Sequence, residues 1–487
     1  MRLAELADAL AGSGPTGGEA ASPVRGTAPE TWAATEIRAI DFDSRQVEPG
    51  SLFCCVRGEH RDGHDHAPEA VAKGAAALVV ERLLALDVPQ LLVPDARVAM
   101  ALVAVALHHD PARALTVIGI TGTNGKTTTS YLLRGVFEAA GRPSDVVGTL
   151  SGARTTPEAP ELQARLAAMR DEGVQAVAME VSSHALAQHR VDGTWFAAAA
   201  FTNLSRDHLD FHGTMESYFE VKARLFSPEF TDRAVVNLDN PYGRLLLDAA
   251  KVATTGFSLD QLDDLELGPA GSRFRWRGQP VDLHLAGRFN VSNALAAAES
   301  ALAVGLEPDA IAQGLSRPLT VPGRFELIDE GQPFGIVVDY AHTPDGLEQV
   351  LAAARGLRPG GEVVVVFGCG GERDATKRPA MGEVAAGHAD RVILTSDNSR
   401  GEDTGAIIDA VKQGYERATT RPAHDLVVEP DRRVAIAAAL RAARPGDVVV
   451  VAGKGHETTQ TIGSTTVAFD DRDVVRDELG RLGGDRS

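Results

Sequence analysis

Short apolar runs alternate with longer amphipathic stretches along most of the chain. SLFCCV (51–56), ALVV (77–80) and QLLV (90–93) predict buried strands, with HAPEAVAKGA (66–75) helical between them. A polar break containing proline, HHDPAR (108–113), closes this first unit. A second opens on LTVIGI (115–120) and runs through AVAMEV (176–181), AAAAF (197–201) and AVVNL (234–238), with helical segments between. After VPGR (321–324), FGIVVDY, EVVVVFG, DRVILTS and DVVVVAG form a third series of the same kind. Such alternation predicts mostly parallel sheets covered by helices, an α/β class. The expected units are 1–108, 109–321 and 322–487, in keeping with a length of 487 residues. Residues 12–35, rich in Gly, Ser, Pro, Thr and Ala without a period, read as a mobile lead-in or long loop.

Composition narrows the function. The net charge of -19 argues against binding a phosphate backbone or an anionic membrane, and 5% aromatic residues leave little for stacking on single strands. No nucleic-acid partner is therefore expected, and any bound phosphate must be held by local donors. Three cysteines, Cys54, Cys55 and Cys369, make no disulfide framework and no C-x-x-C pair. MRLAELADALAGSGPTGG lacks the continuous apolar core of a signal peptide, and VAMALVAVAL (98–107) is too short to span a bilayer. The expectation is a cytoplasmic protein without membrane insertion, and a monomer.

The chemistry concentrates first at TGTNGKTT (121–128). Glycines let backbone N–H groups converge, Lys126 adds charge, the helix that follows adds its dipole, and Thr127 offers a hydroxyl to Mg²⁺. The strict G-x-x-x-x-G-K-[ST] spacing fails, because Ile120 stands where the first glycine belongs and the glycines fall at 119, 122 and 125. Elsewhere, His208, His212 and Asp210 invite a zinc reading, whereas His60, His64 and His66 fit no standard metal spacing. FGCGGER is no dinucleotide fingerprint, since Arg373 occupies the third glycine position.

The loop, together with DSRQVEPGSLF, MEVSSHALAQHRV, FTNLSRDHLDFHGTMESYFEVKARLF, GRFNVSNALAA, VPGRFE, DYAHTPDGLE, FGCGGERDATKRPAMG, SDNSR and GKGHE, resembles the Mur ligase family in order from residue 43 to residue 457. The resemblance implies three domains: an N-terminal UDP-binding domain, a central P-loop domain binding ATP, and a Rossmann-like C-terminal domain binding an amino acid. It also implies ATP-dependent amide formation through an acyl phosphate, in peptidoglycan precursor synthesis. On that resemblance Lys126, Glu180, His208 and Lys222 are catalytic. Gly122, Thr123, Asn124, Gly125, Lys126, Thr127, Thr128, Asn293, Arg324 and Asp339 hold ATP. Mg²⁺ falls to Thr127, Glu180, His208 and Lys222, the lysine carried as N6-carboxylysine. Ser44, Thr155, Thr156, Ser182, Gln188 and Arg190 match positions for the UDP-N-acetylmuramoyl-dipeptide.

The incoming amino acid is implied to meet Arg373, Asp397, Asn398, Arg400, Gly453 and Glu457. Arg400 supplies charge for a second carboxylate, which favours meso-diaminopimelate over L-lysine or another diamino acid. Ser399 replaces the family's proline in SDNSR and is expected to loosen the loop. Two other readings stand beside this one: a folylpolyglutamate synthetase or D-alanyl-dipeptide-adding sister enzyme, and a non-catalytic nucleotide-binding homologue.

Overall fold

A computed structural model describes residues 1–12, 25–58, 61–419 and 423–484. Residues 13–24 of the expected lead-in, and His60, lie outside the described residues. The rest of that lead-in is built in. Arg25–Thr27 is an edge strand antiparallel to Gln90–Leu92, and the buried Trp32 ring donates Nε1–H to Thr27 O at 3.0 Å. An indole that large removes enough apolar surface from water to fix a segment with no periodicity of its own.

The first sheet has five strands, parallel apart from that edge. The apolar run at 98–107 lies in the helix Ala96–Leu107, capped by Asp95, and its Ala99, Met100 and Val103 face the core. Among the described residues no helix is long and apolar enough to cross a membrane.

The second sheet has six parallel strands, with Thr116–Thr121 between Ala176–Glu180 and Ala198–Phe201. Both faces are covered, which is why its strands read as continuous apolar runs. A three-stranded antiparallel sheet, Asp263–Gly268, Gly271–Trp276 and Gln279–Leu283, is an addition the sequence reading lacked. It rests on the helix Arg288–Ala303, where buried Glu299 accepts from Trp276 Nε1 at 2.8 Å and from Arg277 Nη2 at 2.8 Å.

The third sheet has six strands, five parallel and one short antiparallel edge, Glu326–Leu327. Val448–Ala452 lies between Gly335–Asp339 and Val363–Phe367, so the loops that follow these strands gather at one end. A hairpin, Thr459–Ile462 with Thr465–Ala468, was also unforeseen.

Candidate active site

The strand Thr116–Thr121 delivers the chain to Gly122 and Gly125, with φ of 154° and 88°, and Gly125 caps the helix Lys126–Ala139. A Cβ at Gly122 would lie 1.9 Å from Thr202 Oγ1, and one at Gly125 2.2 Å from Asn293 Oδ1. Only glycine fits either place. The loop is tied to the next strand, Thr123 N–H donating to Asn203 O at 2.9 Å and Asn124 N–H to Asn203 Oδ1 at 2.9 Å. Lys126 folds back, its Nζ donating to Gly122 O at 2.9 Å and Thr123 O at 3.0 Å, and burial pushes its pKa down.

Glu180 is wholly buried at the end of the neighbouring strand. Its carboxylate accepts from Thr127 Oγ1 at 3.1 Å, Thr149 N–H at 2.9 Å and Thr149 Oγ1 at 3.1 Å. Arg324 donates Nη2–H to the same Thr127 hydroxyl at 3.2 Å, and its guanidinium lies 4.4 Å from the Tyr340 ring centroid. His208 sits in left-handed backbone, φ 54°, with Nε2 3.3 Å from Asp207 Oδ2. Burial pushes its pKa down to about 3, so the ring is neutral at physiological pH. Lys126, Thr127, Thr128, Glu180, His208, Asn293, Arg324 and Asp339 line one cavity of about 210 Å³.

Lys222 sits behind the loop, 1% exposed, donating to Gly122 O at 3.0 Å and Thr121 Oγ1 at 3.3 Å. Burial, with Lys126 nearby, holds its pKa well below the usual lysine range. Asn293 rests on Asn290 Oδ1 at 3.2 Å. Asp339 spends both carboxylate oxygens on backbone, accepting from Phe325 N–H and Ala341 N–H at 2.6 Å each; it fixes the VPGR turn against its strand.

The donor set suits Mg²⁺, a hard ion that takes a hydroxyl and a carboxylate and keeps its remaining positions for water and phosphate. Among the described residues no cluster of three His, Cys, Asp or Glu is placed to hold a metal. The zinc alternative fails on geometry. His212 Nε2 lies 2.9 Å from Ser183 Oγ, and its ring stacks on Tyr218 at 4.8 Å. His64 is a satisfied core histidine, 2.6 Å from Asp62 Oδ1 and accepting from Glu81 N–H.

A second cavity, of about 390 Å³, has Thr155, Thr156, Ser182 and Arg190 on one side and Arg373, Asp397, Asn398, Arg400, Gly453 and Glu457 on the other. Arg190 donates to Thr156 O at 3.1 Å and Gln188 Oε1 at 2.6 Å, and pairs with buried Glu158 at 2.9 Å. Asn398 Nδ2 and Lys454 Nζ hold Glu457 Oε2 at 2.7 Å and 3.1 Å. Arg400, φ 50°, donates Nη1–H to Gly371 O at 2.6 Å. Ser399 does not loosen its loop. It is buried, its N–H donates to Asp397 O at 3.1 Å, and its Oγ accepts from Thr404 Oγ1 at 2.9 Å. Proline makes neither bond, so hydrogen bonding replaces ring stiffness here.

Ser44 stands apart from both cavities, donating to Glu69 Oε2 at 2.9 Å in the first unit. Sequence reasoning missed Glu158, His184, Asp207, His342 and Lys377. Asp207 of the second unit lies 3.4 Å from Lys377 Nζ and 3.5 Å from His342 Nε2 of the third. Arg206 Nη2 donates to Thr376 Oγ1 at 2.7 Å and Asn124 Nδ2 to Asp345 Oδ2 at 2.9 Å, so the units meet directly across the site. Their motif neighbours were the signal, but the pairing needs the fold.

A glycine loop with a buried carboxylate and lysine, opening on a cavity that a second α/β unit completes, has the make-up of a nucleotide-phosphate site shared between two units. The chain belongs to the Mur ligase family. The family's catalytic domain matches residues 36–119, its middle domain 120–301 and its glutamate ligase domain 323–455. UDP-N-acetylmuramoyl-L-alanyl-D-glutamate–2,6-diaminopimelate ligase of Streptomyces coelicolor is 43% identical, over 99% of this chain and 97% of that protein. The Geobacillus kaustophilus protein of the same name is 45% identical, over 91% and 94%. A solved structure of a ligase of this name is 35% identical with a TM-score of 0.65, covering 93% of this chain and 96% of its own. The UDP-N-acetylmuramoylalanyl-D-glutamyl-2,6-diaminopimelate–D-alanyl-D-alanyl ligase of Acinetobacter baumannii, at 20% identity and a TM-score of 0.64 over 99% and 98%, shares the fold.

Proposed function

We propose that the chain joins diaminopimelate to UDP-N-acetylmuramoyl-L-alanyl-D-glutamate with ATP, through an acyl phosphate, in peptidoglycan precursor synthesis. The observation that carries this is a shared wall. Thr155, Ser182, Asp207, His208, Tyr340 and His342 line both cavities, so the phosphate loop and the amino-acid loop open onto one another. The relatives' common name supports the amino acid.

In this reading residues 1–108 hold the uridine end, with Ser44 there, residues 109–321 hold ATP, and residues 322–487 hold the amino acid. The loop amides from Gly122 to Thr128 receive phosphate oxygens, Lys126 leaving its own carbonyls for them, and Asn293 meets the base. Arg324 reaches the phosphates from beside Thr127, and Asp339 keeps that arginine's turn in place. Thr155, Thr156, Ser182 and Arg190, steadied by Gln188, hold the dipeptide so that its carboxylate faces the loop. That carboxylate attacks the γ-phosphorus and ADP leaves. The amino acid, held by Arg373, Asp397, Asn398, Arg400, Gly453 and Glu457, then adds its amine to the acyl carbon, phosphate departs, and a proton is lost. Thr127, Glu180 and His208 would hold Mg²⁺, which when bound would supply charge neutralisation where phosphate and carboxylate meet. Lys222, whose burial beside Lys126 disfavours the ammonium form, is suited to take up CO₂ with loss of a proton, becoming an N6-carboxylysine anion. The protein acts in the cytoplasm as a monomer.

The test is purified protein with ATP, Mg²⁺, the nucleotide dipeptide and each candidate amino acid in turn. Tripeptide with diaminopimelate is expected. Product with lysine alone overturns the specificity, and none with any amino acid overturns the reaction.

A further inference from the structure

Arg432 opens the helix Arg432–Ala442, yet it is buried with Asp471 as its equally buried partner. Nε–H and Nη2–H each reach one Asp471 oxygen at 2.7 Å. The guanidinium has donors to spare, and they go elsewhere. Nη1–H donates to Ser396 O at 3.2 Å, and Nη2–H also to Ala452 O at 2.9 Å. Those carbonyls stand immediately before Asp397 and Gly453, where the two amino-acid loops begin.

The two strands concerned, Arg391–Leu394 and Val448–Ala452, are not neighbours. Val363–Phe367 separates them, so no ladder bond sets one loop against the other. Yet the loops come close, for a Cβ at Gly453 would lie 2.7 Å from Asp397 Oδ2. The side chains of Asn398 and Glu457 join the loops at 2.7 Å, and one planar fork reaching both carbonyls adds a second tie where the loops begin, which an ammonium could not. A buried ion pair is seldom more stabilising than an apolar pair of the same volume, so stability does not account for this one.

Resting on the amino-acid site assigned above, we propose that Arg432 is a positioning residue for that site. Its guanidinium sets the spacing between Asn398 and Arg400 on one loop and Glu457 on the other, and thereby the affinity for diaminopimelate and its preference over lysine. Arg432 touches neither cavity.

The experiment compares wild type, Arg432→Lys and the double variant Arg432→Met/Asp471→Leu, which removes both charges together. Each is measured for Tm, for KM of all three substrates, and for the ratio of kcat/KM with diaminopimelate to that with lysine. Losing hydrogen bonds to two carbonyls should raise KM for diaminopimelate about tenfold in both variants and shrink the ratio by about as much, with the other two KM values within about twofold. The double variant should keep a Tm near wild type, because no unpaired charge remains. Equal rises in all three KM values would overturn the proposal, as would a KM for diaminopimelate that stays at the wild-type value in a folded variant. A wild type that makes no tripeptide with any amino acid would fail in a different place, overturning the ligase reading itself and this proposal with it.

Discussion

Lys222 holds its amine between the Gly122 carbonyl and the face of Tyr218, whose ring centroid is 4.9 Å from Nζ. The folded-state pKa lies below the ordinary 10.5, so between the two values the unfolded chain binds a proton that the folded chain does not. Stability therefore rises with pH across that interval. In CO₂-free buffer, Lys222→Met should be more stable than wild type at neutral pH and should lack the slope, read by urea unfolding over a pH series. Lys222→Ala should lose about 100-fold in turnover, a cost typical of a lost electrostatic contact, and regain part with short-chain carboxylic acids. Arg400→Ala removes a charge-assisted donor at the amino-acid cavity. Its KM for the amino acid should rise about 10- to 100-fold with KM for ATP little changed, and equal rises would count against its assignment.

At the scale of elements, the strand, glycine turn and helix at 116–139 form a unit whose geometry leaves little choice of residue. Gly125→Ala places a methyl against Asn293 at an unfavourable φ, so ATP affinity should fall at least about tenfold, measurable by calorimetry, with the far-UV spectrum unchanged. This unit was legible in the sequence because sterics force glycine at fixed positions, and the parallel strands because burial on both faces makes them continuous apolar runs. The 263–283 sheet was not legible. Asp263–Gly268 is largely exposed, with charges at Asp263, Asp264 and Glu266, and resembles a loop until it pairs. Ser399 misled for a related reason. A missing proline reads as lost stiffness, whereas its replacement N–H finds Asp397 O only in the folded loop.

For the whole molecule, the decisive contacts join residues far apart in the chain, Lys377 and Asp207 being 170 positions apart. No local pattern announces such a pair. Burial alone would raise the Asp207 pKa, but His342, Lys377 and His208 hold it well below the carboxylate range, so it faces the third unit as an anion. Asp207→Asn should cost about 10- to 100-fold in kcat by weakening the approach of the third unit, and solution scattering with ATP bound should give a larger radius of gyration than wild type.

The wall common to the two cavities has a pharmacological corollary. Thr155, Ser182, Asp207, His208, Tyr340 and His342 line both the chamber of the phosphate loop and the one proposed above for the amino acid, so the two open onto each other. A tethered inhibitor, phosphonate at one end and amino-acid head at the other, would seat both ends at once, the first anchoring the second at high local concentration.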